Sequence, residues 1–388
     1  MPSLSHRVQT FTDSVIRRMT RISDEYGAIN LSQGFPDFPP PKPITDALKR
    51  IADEGPHQYS VTYGAENFRE ALARKAAKGI GREIDPEEEV LVTCGGTEAM
   101  MSAMMTICNP GDKVVVFSPF YENYGADAIL SGADPIFVPL VPPDYHFDAS
   151  LIEAAFRDEG AKAIIVCNPS NPCGKVFTRD ELMTIGELAK KYDAFVVTDE
   201  VYEHMVYAPN KHICMASLPG MWERTITCNS LSKTYSITGW RLGWAVVPEY
   251  TIEAVDDLAT NYYLCAHTPT QHAALACFTP ESLAVCEERR QELLARRRIV
   301  VSGLERIGLP LEVVPNGAFY AYFSVAGTGL DAWTFCERAL EEAHVALTPG
   351  RDFGPATADT HVRLSYAASR EALTEGLSRL GKFVASLR

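Results

Sequence analysis

No stretch of this 388-residue chain approaches the ~20 consecutive apolar residues that a membrane span needs. The opening segment MPSLSHRVQTFTDSV lacks a basic stretch followed by an apolar core, so no secretory leader is expected. There is no CxxC pair and no cysteine–histidine run with zinc spacing. His212 and Cys214 lie close together but too isolated to make a metal site, and no metal is expected. The ten cysteines are scattered from Cys94 to Cys336. They read as reduced, mostly buried thiols of a cytoplasmic protein. Blocks of like charge are missing as well, and the formal net charge is −14. Such a surface repels phosphate backbones and anionic lipid, so neither nucleic acid nor a membrane is an expected partner. A GxGxxG fingerprint is absent, which removes the usual dinucleotide reading. No internal repeat or low-complexity linker interrupts the chain.

What is present is enough apolar residue, 46%, to bury a sizeable core. The length suits one large domain and one smaller one. Seven short runs read as strands: Glu89–Thr93, Lys113–Ser118, Pro135–Leu140, Lys162–Cys167, Ala194–Asp199, Thr225–Asn229 and Leu242–Val247. Most are continuously apolar, as strands buried on both faces of a mainly parallel sheet should be. Helical patterns fill the gaps, for example Glu98–Ile107 and Arg179–Tyr192. The alternation predicts an α/β fold. Residues Asn30–Pro43 are rich in Gly and Pro and read as irregular. From Pro280 the pattern changes to a long charged helix (Glu281–Ile307), strands at Gly317–Phe323 and His361–Tyr366, and a last helix from Arg370. The expected division is a large domain over 46–279 and a smaller α+β domain from 1–45 and 280–388.

The chemistry concentrates in loops after the strands. Ser230-Leu-Ser-Lys233 is followed by Gly239-Trp-Arg241. A lysine just beyond a buried strand is either solvated or held by a partner. Two hydroxyls and an arginine beside it make an anion site, which could hold a phosphate while the lysine attacks a carbonyl of the same ligand. Asp199 ends another strand, ahead of Tyr202, and could alternatively cap a helix. Asn168-Pro-Ser-Asn171-Pro-Cys-Gly174 is a rigid turn that would hold the Asn171 amide in place. Gly95-Gly96-Thr97 opens a helix, where backbone can approach an anion. Tyr121 and Tyr124 follow a strand in Pro119-Phe-Tyr-Glu-Asn-Tyr and are either ring-stacking groups or core. Arg363 sits inside an apolar strand and needs an anion, from a ligand or from a structural ion pair.

Taken in order, these motifs resemble the class I/II aminotransferases of fold type I. That family carries pyridoxal 5'-phosphate (PLP) on a lysine motif S-x-S-K-x-x-x-x-x-G-x-R, and Ser230–Arg241 matches every fixed position. The resemblance runs from about Asn30 to Tyr366. It implies a large domain with a mainly parallel seven-stranded sheet and PLP held on Lys233 as a Schiff base. Ser230, Arg241 and the Gly95-Gly96-Thr97 turn would bind its phosphate. Asp199 would pair with the ring nitrogen, with a lowered pKa beside that cation. Tyr202 and Asn171 would reach the ring oxygen, and Tyr121 would stack on the ring. Cys173 stands where the family commonly has threonine and is expected to be structural. Arg363, Asn171 and the backbone at Gly34 would hold the substrate carboxylate, with Phe35 and Tyr320 either lining the side-chain pocket or in the core. Tyr59, in Tyr-Ser-Val-Thr-Tyr-Gly64, would reach the phosphate in a second subunit, making a homodimer with shared sites.

The implied activity is ping-pong transfer of an amino group between an L-amino acid and a 2-oxo acid. The alternative on the same cofactor is a β-lyase acting on cystathionine or cysteine S-conjugates. A PLP-sensing regulator would need an added DNA-binding domain, for which the family pattern, starting by Asn30, leaves no room. Ile29-Asn-Leu-Ser-Gln-Gly-Phe-Pro-Asp resembles the kynurenine, glutamine–phenylpyruvate and methionine branch. The rest also resembles bacterial aspartate and aromatic aminotransferases.

Overall fold

The computed structural model describes residues 21–387. Its strands are β1 (Ile29–Asn30), β2 (Val90–Thr93), β3 (Lys113–Ser118), β4 (Asp134–Pro139), β5 (Ala163–Cys167), β6 (Phe195–Asp199), β7 (Thr225–Ser230), β8 (Gly243–Val246), β9 (Tyr320–Ser324), β10 (Val345–Ala346), β11 (Thr348–Pro349) and β12 (His361–Ser365). The seven runs read from sequence are β2 to β8, with ends shifted by about one residue. They form one sheet in the order β2-β8-β7-β6-β5-β3-β4. β8 is antiparallel to both neighbours and every other pair is parallel.

Alternation along the strands explains their apolar character. Val114 and Val116 face one side and pack with Ala99, Ala103 and Met104 of the helix Gly96–Ile107. Val115 faces the other and packs with Leu182 and Ile185 of the helix Arg179–Lys191. With helices on both faces, the central strands are apolar over most of their length, whereas the edge strand β4 leaves Asp134 and Phe137 exposed.

A second core lies around the antiparallel sheet β11-β12-β9, covered by the helices Pro280–Arg306, Ala332–Ala343 and Arg370–Ser386. β1 pairs with β10, so residues 29–30 are built into this region. The strand expected from Gly317 begins only at Tyr320. A Cβ on Gly317 would lie 2.6 Å from the Pro169 side chain, and Ala318 has φ +55°. That backbone turns against the Asn168–Gly174 loop, and Gly317 makes only an isolated antiparallel bridge to Val206 before the strand begins. Residues 31–41 are irregular, as their Gly and Pro content predicts, and a helix begins at Lys42.

Candidate active site

Parallel strands that end side by side deliver their following loops to one place, the crevice at their carboxyl ends. β3, β5, β6 and β7 do this here and, with the turn after β2, wall a cavity of about 460 Å³. Twelve of the thirteen residues expected in the site line it or form its edge. Lys233, Ser230, Arg241, Asp199, Tyr202, Asn171, Tyr121, Gly96, Thr97, Gly34 and Arg363 are on the wall, and Gly95 lies directly behind Arg241.

Lys233 stands three residues beyond β7, and its Nζ donates to the Gly34 carbonyl oxygen at 2.6 Å. Burial brings its pKa down to about 8, with the cations Arg363 and Arg241 adding to the effect and Asp199 opposing it. Near neutral pH a useful fraction is therefore the neutral amine, the form that attacks carbonyls and accepts protons.

At one end of the cavity the groups are anion donors. Ser230 Oγ lies 2.8 Å from both Ser232 Oγ and the Leu242 carbonyl oxygen, and accepts the Ser232 N–H at 3.1 Å. The helix Gly96–Ile107 points its N-terminus here, with Gly95 as its cap at φ +92°. A Cβ on Gly95 would lie 2.4 Å from an Arg241 nitrogen, so only glycine lets this guanidinium sit against the turn. Arg241 itself adopts φ +52° and donates from Nη1 to Thr238 O at 3.0 Å.

At the other end is Asp199. It accepts the Tyr124 O–H at 2.8 Å and the Val201 N–H at 3.2 Å. Burial raises its pKa, while those two bonds and Lys233 hold it back. The lowered value expected from sequence depends on a cation beside it, and in the protein alone burial wins. Tyr124 is thus both core and site: it is 2% exposed and packs edge-on to Tyr121 at 5.7 Å.

Between the two ends, Tyr202 Oη lies 2.9 Å from Tyr320 Oη. Arg363 Nη1 donates to Asn171 Oδ1 and Nη2 to Ser32 O, each at 2.8 Å. The guanidinium lies over the rings of Tyr320 and Phe353 at 4.4 and 4.8 Å. Both bonds go to neutral oxygens and Nε has no partner. Among the described residues Arg363 makes no structural ion pair, so the ligand alternative remains. A fully buried guanidinium without an anion is costly unless one arrives.

One expectation is corrected and one is left apart. Phe35 neither lines the cavity nor joins the core, being 45% exposed, while its neighbour Gly34 lines the wall. Tyr320 lines the wall. Tyr59 is not with the other site residues: it is 78% exposed on a separate open groove with Ser60 and Thr268. Cys173 is buried in the core behind the Asn171 loop, 3.4 Å from Ser170 Oγ. Asp127 and Thr238 also reach the wall and had no motif to announce them. For Asp127 a signal existed, since it falls three residues after Tyr124 on one helical face.

Residues 26–380 match the family described as aminotransferase class I and II. The chain belongs to that family. It is 36% identical to an aspartate aminotransferase of Pyrococcus abyssi, over 98% of each chain. It is 35% identical to mouse kynurenine–oxoglutarate transaminase 3, over 84% of this chain and 75% of that one. A solved aromatic aminotransferase from Pyrococcus horikoshii superposes with a TM-score of 0.91 at 34% identity, covering 99% of both chains. The protein is a PLP-dependent aminotransferase of fold type I. These relatives favour transamination over the β-lyase alternative.

The aminotransferase cavity fits PLP by its own chemistry. A cradle that a Cβ would fill, a helix N-terminus and two serine hydroxyls suit a phosphate. A lysine of low pKa suits the carbonyl, and a buried carboxyl at the far end suits a ring nitrogen. A guanidinium with a spare donor suits the substrate carboxylate.

Proposed function

We propose that Lys233 attaches the cofactor and moves the substrate proton, and that the other wall residues divide the remaining work by position. Ser230, Arg241, Gly95, Gly96 and Thr97 hold the phosphate. Asp199 faces the ring nitrogen, Tyr202 and Asn171 the ring oxygen, and Tyr121 the ring plane. Arg363, Asn171 and Gly34 hold the α-carboxylate. Bound PLP supplies an electron sink for the pair left when the Cα–H bond breaks. Lys233 Nζ then takes the Cα proton, holds it and gives it back, for which a value near 8 is well matched. Arg363 fixes the carboxylate so that the Cα–H bond faces that amine. The observation that carries this reading is the convergence of Lys233, Asp199, Arg241 and Arg363 on one cavity.

The amino donor is of the aspartate/aromatic or the glutamine/methionine type. Purified holoenzyme should show a visible cofactor band that gives way to the band of the aminated cofactor when the right amino acid is added. A 2-oxo acid should restore it. A shift with aspartate or glutamate places the donor in the first type, and one confined to glutamine or methionine in the second. If no amino acid moves the band, or if cystathionine yields pyruvate and ammonia instead, the transaminase reading is lost.

The same proposal includes a cytoplasmic homodimer and a large domain over 46–279, with 1–45 and 280–388 forming the smaller one. Residues 1–20 and 388 of that division lie outside the described ones. The exposed side chains Tyr59, Val61, Tyr262 and Leu264 support a covered face near the Tyr59 groove. Tyr59→Ala should weaken activity about 10- to 100-fold, the worth of a bond to a charged group. Mixed with Lys233→Ala subunits and allowed to exchange, it should recover about a quarter of wild-type activity. Half of the dimers are then mixed, and each has one intact site. A mixture no more active than its parents would place Tyr59 outside any shared site.

A further inference from the structure

The carboxyl of Asp127 has no part in the chemistry above. It sits on the helix Asn123–Ser131, one turn beyond Tyr124. Both residues wall the cavity with Asp199, and the Tyr124 hydroxyl is bonded to that aspartate. Asp127 is 2% exposed, and its Oδ2 has no hydrogen-bond partner. An ionised carboxylate in that position would be desolvated and uncompensated. The titratable groups that face it are Tyr121 and Tyr124 on its own segment, Asp199 on β6 and Cys228 on β7. None is a cation. Burial first, and then the charge of Asp199, push Asp127 well above the ordinary carboxylate range, farther than Asp199 itself is moved.

We propose that Asp127 is a positioning residue for Asp199: it stays a neutral acid behind the ring-nitrogen carboxylate, so that this wall of the cavity carries one negative charge and not two. Two carboxyls in one poorly hydrated site cannot both ionise freely, and they titrate as a pair. The proton stays on Asp127 because Asp199 has compensating partners, Tyr124, the Val201 N–H and the field of Lys233, and Asp127 has none from a cation. The ring nitrogen therefore meets a single anion whose strength does not drift across neutral pH. The arrangement also holds a reserve: with Asp199 neutralised, Asp127 is free to ionise in its place. This inference rests on the reading of Asp199 as the ring-nitrogen partner.

Infrared difference spectra of holoenzyme near neutral pH test the protonation directly. A carbonyl stretch of a protonated carboxylic acid should be present in wild type and lost in Asp127→Asn. A band that survives in Asp127→Asn, or that disappears in Asp199→Asn instead, overturns the proposal. Kinetics test the reserve. Asp199→Asn should keep a residual activity that rises with pH as Asp127 ionises, a dependence that a purely structural Asp127 would not produce. Adding Asp127→Asn should then cost at least about tenfold more than the product of the two single effects. Simple additivity overturns the proposal. A wild-type holoenzyme whose cofactor band no amino acid shifts would instead sink the transaminase reading, whatever the infrared result.

Discussion

Lys233→Ala is expected to slow turnover by about 10⁴-fold, the upper range for losing a positioned acid–base group, with loss of a covalent attachment point added. The check is single-turnover kinetics on protein supplied with PLP, together with borohydride reduction. Wild type is trapped as a reduced covalent adduct and the variant is not. A variant that still turned over within tenfold, or still fixed the cofactor, would place the chemistry on another residue. The same side chain has a stability signature. Its folded value of about 8 lies below the ordinary 10.5. Between those two values the unfolded chain binds more protons than the folded one, so stability rises with pH across that window. Below about 8 both states are protonated and the folded protein bears the whole cost, on the order of 3 kcal/mol. Cofactor-free Lys233→Met should therefore melt above cofactor-free wild type at pH 7, with the gap closing toward pH 10.5. A gap that stayed constant with pH would mean that the lysine is not held at a depressed value.

Arg363→Ala is expected to lower kcat/KM by about 10³-fold for every accepted amino acid, since on the proposed role a desolvated carboxylate would lose its bidentate partner. Arg363→Lys recovers only part, because a point charge cannot reproduce the fork that reaches Asn171, Ser32 and a ligand together. Steady-state kinetics with two unrelated donors make the test. The loss should be similar for both, since the group lost is the carboxylate they share. Covalent cofactor attachment should survive in both variants, which separates this effect from that of Lys233. A loss confined to one donor would move Arg363 from the α-carboxylate to the side-chain pocket.

Much of this molecule could be read before it was folded, and the reason is local. A strand with helices on both faces has few polar positions, so β3, β5 and β6 stand out as short, mostly apolar runs. Ser230, Lys233, Gly239 and Arg241 lie within one turn-and-strand unit, so their spacing is preserved in the chain. The reading was weaker where the chain turns sharply. Gly317 looked like strand and is jammed against Pro169. Phe35, an aromatic beside a backbone contact, reads as pocket or core and is neither, being 45% exposed.

The order of motifs, the α/β class and the candidate site residues could be read from the sequence alone, because each depends on residues near one another in the chain. The state of those groups was decided only by the tertiary structure. Lys233 bonds to Gly34 across 199 positions, and Arg363 to Asn171 across 192. Asp127 comes within the field of Asp199 only because the helix Asn123–Ser131, packed beside β3 and β4, brings Tyr124 to that carboxylate. Burial and the charges of distant segments set a pKa, and neither is written in the residues beside the titrating group.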